Sequence, residues 1–200
     1  PKSDVRTYTN DERVEGYVGN FKVQLREKAR YVRADRCNGC GECSKACPIE
    51  VPNYFEMNLA PRKAAYVPMS QSVPLLYTID EEACIHCYKC VDACGPLEAI
   101  DFSQEDKVVW EDIGAIIVAT GFNHFDPSVM PEYGYGRFPN VITAMEMERL
   151  NNSAGPTTGN LIRPSDQHNP QRLAIINCVG SRDKRDRKST RLNSSHGKLT

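Results

Sequence analysis

Residues 37–48 read Cys37-Asn38-Gly39-Cys40-Gly41-Glu42-Cys43-Ser44-Lys45-Ala46-Cys47-Pro48. Residues 84–96 repeat the pattern as Cys84-Ile85-His86-Cys87-Tyr88-Lys89-Cys90-Val91-Asp92-Ala93-Cys94-Gly95-Pro96. Both are C-x2-C-x2-C-x3-C. Three thiolates at two-residue gaps can curl a loop around one cubane, corner by corner. In two-cluster proteins with this spacing the fourth cysteine ligates the other cluster. The expectation is two [4Fe–4S] clusters: one on Cys37, Cys40, Cys43 and Cys94, the other on Cys84, Cys87, Cys90 and Cys47. Crossed ligation also accounts for the duplication, because neither motif completes its own cluster. Each fourth cysteine is expected to start a helix that points away from its own loop.

Two other chemistries use cysteine pairs. Zinc sites favour C-x2–4-C knuckles separated by a longer spacer, a poor template for a doubled four-cysteine run. A secreted disulfide scaffold would spread its cysteines along the chain. Here eight of the nine fall in the two runs, and Cys178 stands alone. The spacing and its duplication favour clusters in a reducing compartment. Gly39 and Gly41 are read as points where backbone N–H groups approach the cluster sulfides. Pro48 turns the chain straight after Cys47; Gly95 delays the matching proline, which alters the turn and not the ligation. His86 and Tyr88 make the second loop bulkier; they either tune its cluster by hydrogen bonding or form a solvated loop tip.

The repeat extends outward over residues 30–102. Tyr31-Val32 precedes Cys37 as Tyr77-Thr78-Ile79 precedes Cys84, so each half reads as a short strand, a cysteine loop and a helical turn. The connection from Pro48 to Pro74 reads as a partly irregular surface loop. Upstream, Phe21, Val23 and Leu25 alternate with Lys22, Gln24 and Arg26, which predicts a hairpin over Arg13–Arg26 turning at Gly19-Asn20. Downstream, Val108-Val109-Trp110 reads as one strand. Ile113 to Ala119, apolar on both faces and closed by Thr120-Gly121, reads as a central parallel strand. Residues 122–140 and 153–170 read as loop, Thr143–Leu150 as helix, and Leu173–Val179 as another buried strand holding Cys178 as a small hydrophobe.

Composition is consistent with a modest core, at 40% hydrophobic and 8% aromatic residues. No apolar run approaches the roughly 18–20 residues of a membrane span. The chain begins at Pro1 without a Met or a signal pattern, and reads as an internal fragment. From Asp186 onward it lacks apolar periodicity and looks like the in-frame translation of a sequencing adapter. Residues 186–200 are therefore read as a non-native tail, against the alternative of a natural basic one. Without it the net charge is more acidic than the −1 of the whole, and nothing reads as a nucleic-acid footprint.

Taken together, the segments resemble the A subunit of heterodisulfide reductase. The likeness is carried by Val14–Val23, the first cysteine motif, Pro61–Ala64, the second cysteine motif, Ile116–Phe122 and Asn177–Asp183. It implies an α/β flavoprotein with an α+β insertion: a two-[4Fe–4S] ferredoxin-like module set into part of a thioredoxin-reductase-like FAD domain. Residues 1–29 would then be a partial FAD-domain hairpin and 30–103 the ferredoxin-like domain. Residues 104–185 would continue the FAD domain and begin a following α/β segment. Ala119, Thr120 and Gly121 would contact FAD in the full-length protein. The Gly-rich loop that cradles the FAD pyrophosphate is not found in this sequence. In the family the cysteine matching Cys178 helps hold a further cluster, with partners that this chain lacks. The implied role is a cytoplasmic oxidoreductase subunit passing single electrons between FAD and outside partners. Those partners would be other reductase subunits, a hydrogenase or dehydrogenase donor, and a ferredoxin acceptor. A quinone-linked oxidoreductase subunit of sulfur metabolism, and a plain two-cluster carrier without flavin, are the alternatives.

Overall fold

A computed structural model of the chain describes residues 4–121 and 123–180. The adapter-like tail, and with it the end of the Asn177–Asp183 likeness, lies outside the described residues. The chain divides into two compact units, Pro1–Ala119 and Thr120–Thr200.

In the first unit the elements run β1 (Thr9–Tyr17), β2 (Asn20–Glu27), α1 (Glu42–Ala46), β3 (Glu50–Pro52), β4 (Pro61–Lys63), β5 (Ala65–Tyr66), β6 (Thr78–Ile79), α2 (Lys89–Cys94) and β7 (Lys107–Ile113). The expected hairpin forms, longer than predicted and with a displaced turn. Asn20 still pairs with Tyr17, so the loop is Val18-Gly19 and not Gly19-Asn20. Alternation along β2 puts Val23 into the core at 6% exposure, with Phe21 and Leu25 half-buried. The predicted Val108–Trp110 strand extends to the whole of β7 and pairs antiparallel with β2, from Phe21 opposite Ile113 to Glu27 opposite Lys107. The sheet order is β1-β2-β7.

Everything between Glu27 and Lys107 therefore leaves and re-enters the sheet at one place. Asp106 holds the two ends together. Its carboxylate accepts the Ala29 N–H at 3.0 Å and an Arg26 guanidinium N–H at 3.5 Å. Ala29 is buried, so Asp106→Ala would strand a backbone donor away from water. The expected cost is about 1–2 kcal/mol, read as a lower midpoint in chemical denaturation.

The inserted segment is built from two similar halves. Val32 bridges Ile100, and β5 pairs with β6 through Ala65–Ile79 and Tyr66–Thr78, so each half borrows the strand that ends the other. Two features differ from expectation. The helices lie between the third and fourth cysteines: Cys43 and Cys90 sit in their first turns, Cys47 caps α1 in an extended conformation, and Cys94 closes α2. A four-residue step is one helical turn, which carries the last thiol past its own loop. The Pro48–Pro74 connection is also less irregular than predicted. β3 and β4 make a small hairpin around a 3-10 turn at Tyr54–Glu56, and β5 follows directly. The core is small: Val32, Cys43, Ala65, Leu76, Ile79, Cys90 and Ala99, with Cys37, Cys47, Cys84 and Cys94 packed against it.

Two predicted strands do not form. After Ile113 the chain leaves the sheet at Gly114, and Ala115–Gly121 belongs to no strand and is exposed, with Ile117 at 93% and Val118 at 76%. Leu173–Val179 is likewise outside any strand, with Ile175 at 71%. A run apolar on both faces becomes a strand only when neighbours cover both edges and both faces. Among the described residues neither run has such neighbours. The parallel sheet implied for an α/β domain is accordingly not seen among them; the described sheets are antiparallel.

In the second unit the predicted helix is α3 (Ala144–Asn151). Thr143 caps it: its hydroxyl accepts the Glu146 N–H at 3.2 Å, and the Glu146 carboxylate accepts the Thr143 N–H at 2.5 Å. This reciprocal pair is a capping box.

Candidate metal centre

The eight motif cysteines gather around two cavities, and the gathering is crossed. One cavity, about 300 Å³ including space open to solvent, is lined by Cys37, Cys40 and Cys43 together with Cys94. The other, about 310 Å³ on the same basis, is lined by Cys84, Cys87 and Cys90 together with Cys47. Among the described residues no three His, Cys, Asp or Glu side chains converge on a single-ion position. The thiols ring a space and not a point, which suits a cubane better than one tetrahedral ion.

The walls repeat as the sequence does. Val32, Ala99 and Ile100 back the first cavity, and Ile79, Ala64 and Ala65 back the second. Gly41 and Tyr88 occupy matching places, as do Asn38 and Ile85. Both loops use left-handed backbone at the same two positions. The first does so with Gly39 (φ +73°) and Gly41 (φ +84°), the second with His86 (φ +51°) and Tyr88 (φ +59°). Glycine fits that conformation without strain. A Cβ on Gly39 would stand 2.8 Å from Leu75, and one on Gly41 would stand 2.8 Å from the Tyr77 hydroxyl. The first cradle is thus closed by side chains from the segment that leads into β6 and the second motif. Gly41→Val would place a β-branched residue in left-handed backbone beneath Tyr77. A loss of about 2 kcal/mol is expected, measured as a fall in the thermal midpoint.

Burial decides the acidity of the inner thiols. It pushes Cys43 up to about 12, with the neighbouring thiols Cys37, Cys40 and Cys90 adding to the rise and the Ser44 N–H opposing it. Burial likewise pushes Cys90 up to about 11, with Cys84 next in effect. Without metal both remain thiols at neutral pH. The stability they give the metal-free fold is complete below the ordinary thiol value of about 8.5. It is lost as pH rises toward those raised values. Ligation needs the thiolate, so metal uptake releases protons and is opposed by acid.

The other predicted positions lie elsewhere. Ala119, Thr120 and Gly121 are exposed and belong to no strand. Cys178 is exposed with φ +60°, and not buried in a strand as predicted. Ile85 and Tyr88 line the second cavity, whereas His86 does not; its ring stands 5.4 Å from Phe102, which also meets Tyr88 at 5.4 Å and Tyr31 at 5.9 Å. Spacing pointed to the loop's bulk but not to which side chains face inward.

Two four-thiol cavities sharing cysteines across a duplicated motif define a class of protein, and residues 36–100 match the family described as 4Fe-4S dicluster domain. The chain contains that domain. It is 50% identical over 183 residues to the iron-sulfur A subunit of the CoB–CoM heterodisulfide reductase of Methanocaldococcus jannaschii, covering 92% of this chain and 28% of the relative. It is 49% identical over 177 residues to the A subunit of the H(2):CoB-CoM heterodisulfide,ferredoxin reductase of Methanothermobacter thermautotrophicus, covering 88% and 27%. An iron-sulfur A subunit of the CoB–CoM heterodisulfide reductase of Methanopyrus kandleri is 52% identical over 183 residues, covering 91% and 27%. The chain is a homologue of the heterodisulfide reductase A subunit over about nine-tenths of its length, and spans about 28% of the length of such relatives.

Proposed function

We propose that the chain is the iron–sulfur portion of a heterodisulfide-reductase-A-like oxidoreductase subunit, and that it carries single electrons between FAD and outside partners. The observation that supports this most is the pair of cavities, each lined by three thiols of one motif and one of the other. In this reading Cys37, Cys40, Cys43 and Cys94 hold one [4Fe–4S] cluster, and Cys84, Cys87, Cys90 and Cys47 hold the second. When bound, the clusters supply one-electron chemistry. The protein supplies thiolate donors, apolar backing from Val32, Ile79 and the alanines, and loop backbone that brings N–H groups near the sulfurs. Residues 30–103 act as the carrier domain, set between β2 and β7.

Partners follow from the names of the relatives: other reductase subunits, a hydrogen- or formate-linked donor, and ferredoxin. The flavin portion is supported by the likeness of Ile116–Phe122 to the family. Ala119, Thr120 and Gly121 are its candidate contacts in the whole protein. The described residues do not themselves form a flavin cradle. Among the described residues no helix is long and apolar enough to cross a membrane.

Anaerobic purification of the chain followed by iron and acid-labile sulfide analysis tests this reading. About eight of each per chain are expected for two such clusters, with a paramagnetic signal on reduction. Zinc in place of iron would overturn it.

A further inference from the structure

The two cysteine loops reach the same backbone shape by different means. Where the first has Gly39 and Gly41 in left-handed backbone, the second has His86 at φ +51° and Tyr88 at φ +59°. A side chain is strained in that conformation and glycine is not. His86 and Tyr88 flank Cys87 on either side. His86 turns its N–H toward the Cys84 sulfur at 3.4 Å. The Tyr88 carbonyl accepts the Val91 and Asp92 N–H groups at 2.9 and 3.3 Å, which starts α2 and places Cys90 in its first turn. Strain at such positions persists only where the surroundings over-determine the conformation.

Phe102 supplies those surroundings. Its ring centroid lies 5.4 Å from that of His86 and 5.4 Å from that of Tyr88, the second pair edge to face, at the separation of favourable ring pairs. Tyr31 stacks on Phe102 at 5.9 Å, and the Tyr31 hydroxyl donates to the Glu81 carboxylate. Tyr31 and Phe102 rise from one ladder, in which Val32 bridges Ile100 and the Asp101 N–H donates to the Tyr31 carbonyl at 2.9 Å. Both rings are half-buried against the core. Phe102 lines neither cavity, so it reaches the second one only through the loop. Resting on the cluster assignment above, we propose that Phe102 is a positioning residue. Its ring braces His86 and Tyr88, and so holds the second loop closed around the cluster of Cys84, Cys87, Cys90 and Cys47. The first loop, relaxed by its glycines and met by Leu75 and Tyr77, does not depend on it.

Iron release to a colorimetric chelator, from the anaerobically loaded full chain, tests this. Phe102→Leu keeps apolar bulk and removes the flat face. Half of the iron should then leave about tenfold faster than from the unaltered chain, and the rest at the unaltered rate. Phe102→Tyr keeps the ring and should keep the slow rate. With His86→Gly and Tyr88→Gly in place there are no rings to brace and no side chain to strain. In that background Phe102→Leu should change release by less than about twofold. The fast half is assigned with half-loaded variants. Phe102→Leu should speed release alongside Cys40→Ser with Cys94→Ser, which keep only the second cluster. It should not do so alongside Cys47→Ser with Cys87→Ser, which keep only the first. Uptake of only about four irons by Phe102→Leu would be the same result at its limit. Loss of all iron from Phe102→Leu, equal acceleration at both sites, a fast phase in Phe102→Tyr, or undiminished acceleration in the glycine background would overturn the proposal while leaving the two-cluster reading intact. Failure of the unaltered chain to take up iron would remove both.

Discussion

Iron chelation under anaerobic, reducing conditions is expected to unfold residues 30–102 as a unit, seen as loss of far-ultraviolet ellipticity and rapid proteolysis between Pro48 and Pro74. The reason lies in how little else holds this segment. Its helices are five and six residues long and most of its strands two or three. Isolated helices shorter than roughly 12–15 residues are marginal in water. Of the seven residues at the centre of its core, two are cysteines and two are alanines, and Ile79 is the only large side chain that is almost wholly buried. Four more cysteines pack against that centre. The thiols stand where a larger domain would put leucines, so the free energy of metal binding is folding free energy here. Retention of ellipticity and protease resistance after complete iron loss would show that side-chain packing alone suffices.

Pairs of serine substitutions should separate crossed from uncrossed ligation by iron content. Cys47→Ser with Cys87→Ser removes two ligands from one cavity and none from the other, and should leave about four irons per chain. Cys47→Ser with Cys40→Ser removes one ligand from each, and should leave both clusters incomplete and iron near zero after gel filtration. If each motif instead held its own cluster, the outcomes would swap. Cys94→Ser with Cys40→Ser and Cys94→Ser with Cys87→Ser give the mirror-image comparison. Because single substitutions can leave a three-iron remnant, the paired design is the more decisive measurement.

The contrast between what the sequence disclosed and what it hid follows the range of the interactions involved. The cysteine loops are local and repeated, so their spacing is enough to read two groups of four thiols, and the cysteines of those groups line the two cavities. The β2 alternation was legible for the same reason, although Tyr17 and Asn20 extended the pairing and moved the turn by one residue. The β3–β4 hairpin was hidden because Pro52 lies opposite Pro61, and prolines read as breakers; neither has an N–H to contribute, and both are tolerated at the end of a short edge pairing. The Ile113–Ala119 and Leu173–Val179 runs failed in the other direction. Their composition is that of buried strands, but burial is a property of neighbours, and a run such as Ile116-Ile117-Val118 carries no information about whether neighbours are at hand. The inward turn of Ile85 and Tyr88, and the outward turn of His86, depended on left-handed backbone that residue type alone argues against.

The meeting of Glu27 with Lys107 has a consequence for mechanics. To the three-stranded sheet, residues 28–106 are one long hairpin loop, anchored by two adjacent strands. A cargo hung from a single linker can swivel; one held by two antiparallel strands and clasped by Asp106 has little freedom to do so. Two tethers restrict how far the inserted segment can move from the sheet, a restriction that would matter for the proposed electron transfer. The same arrangement makes the segment a self-contained cassette, which could be gained or lost in one step without changing the register of the strands on either side.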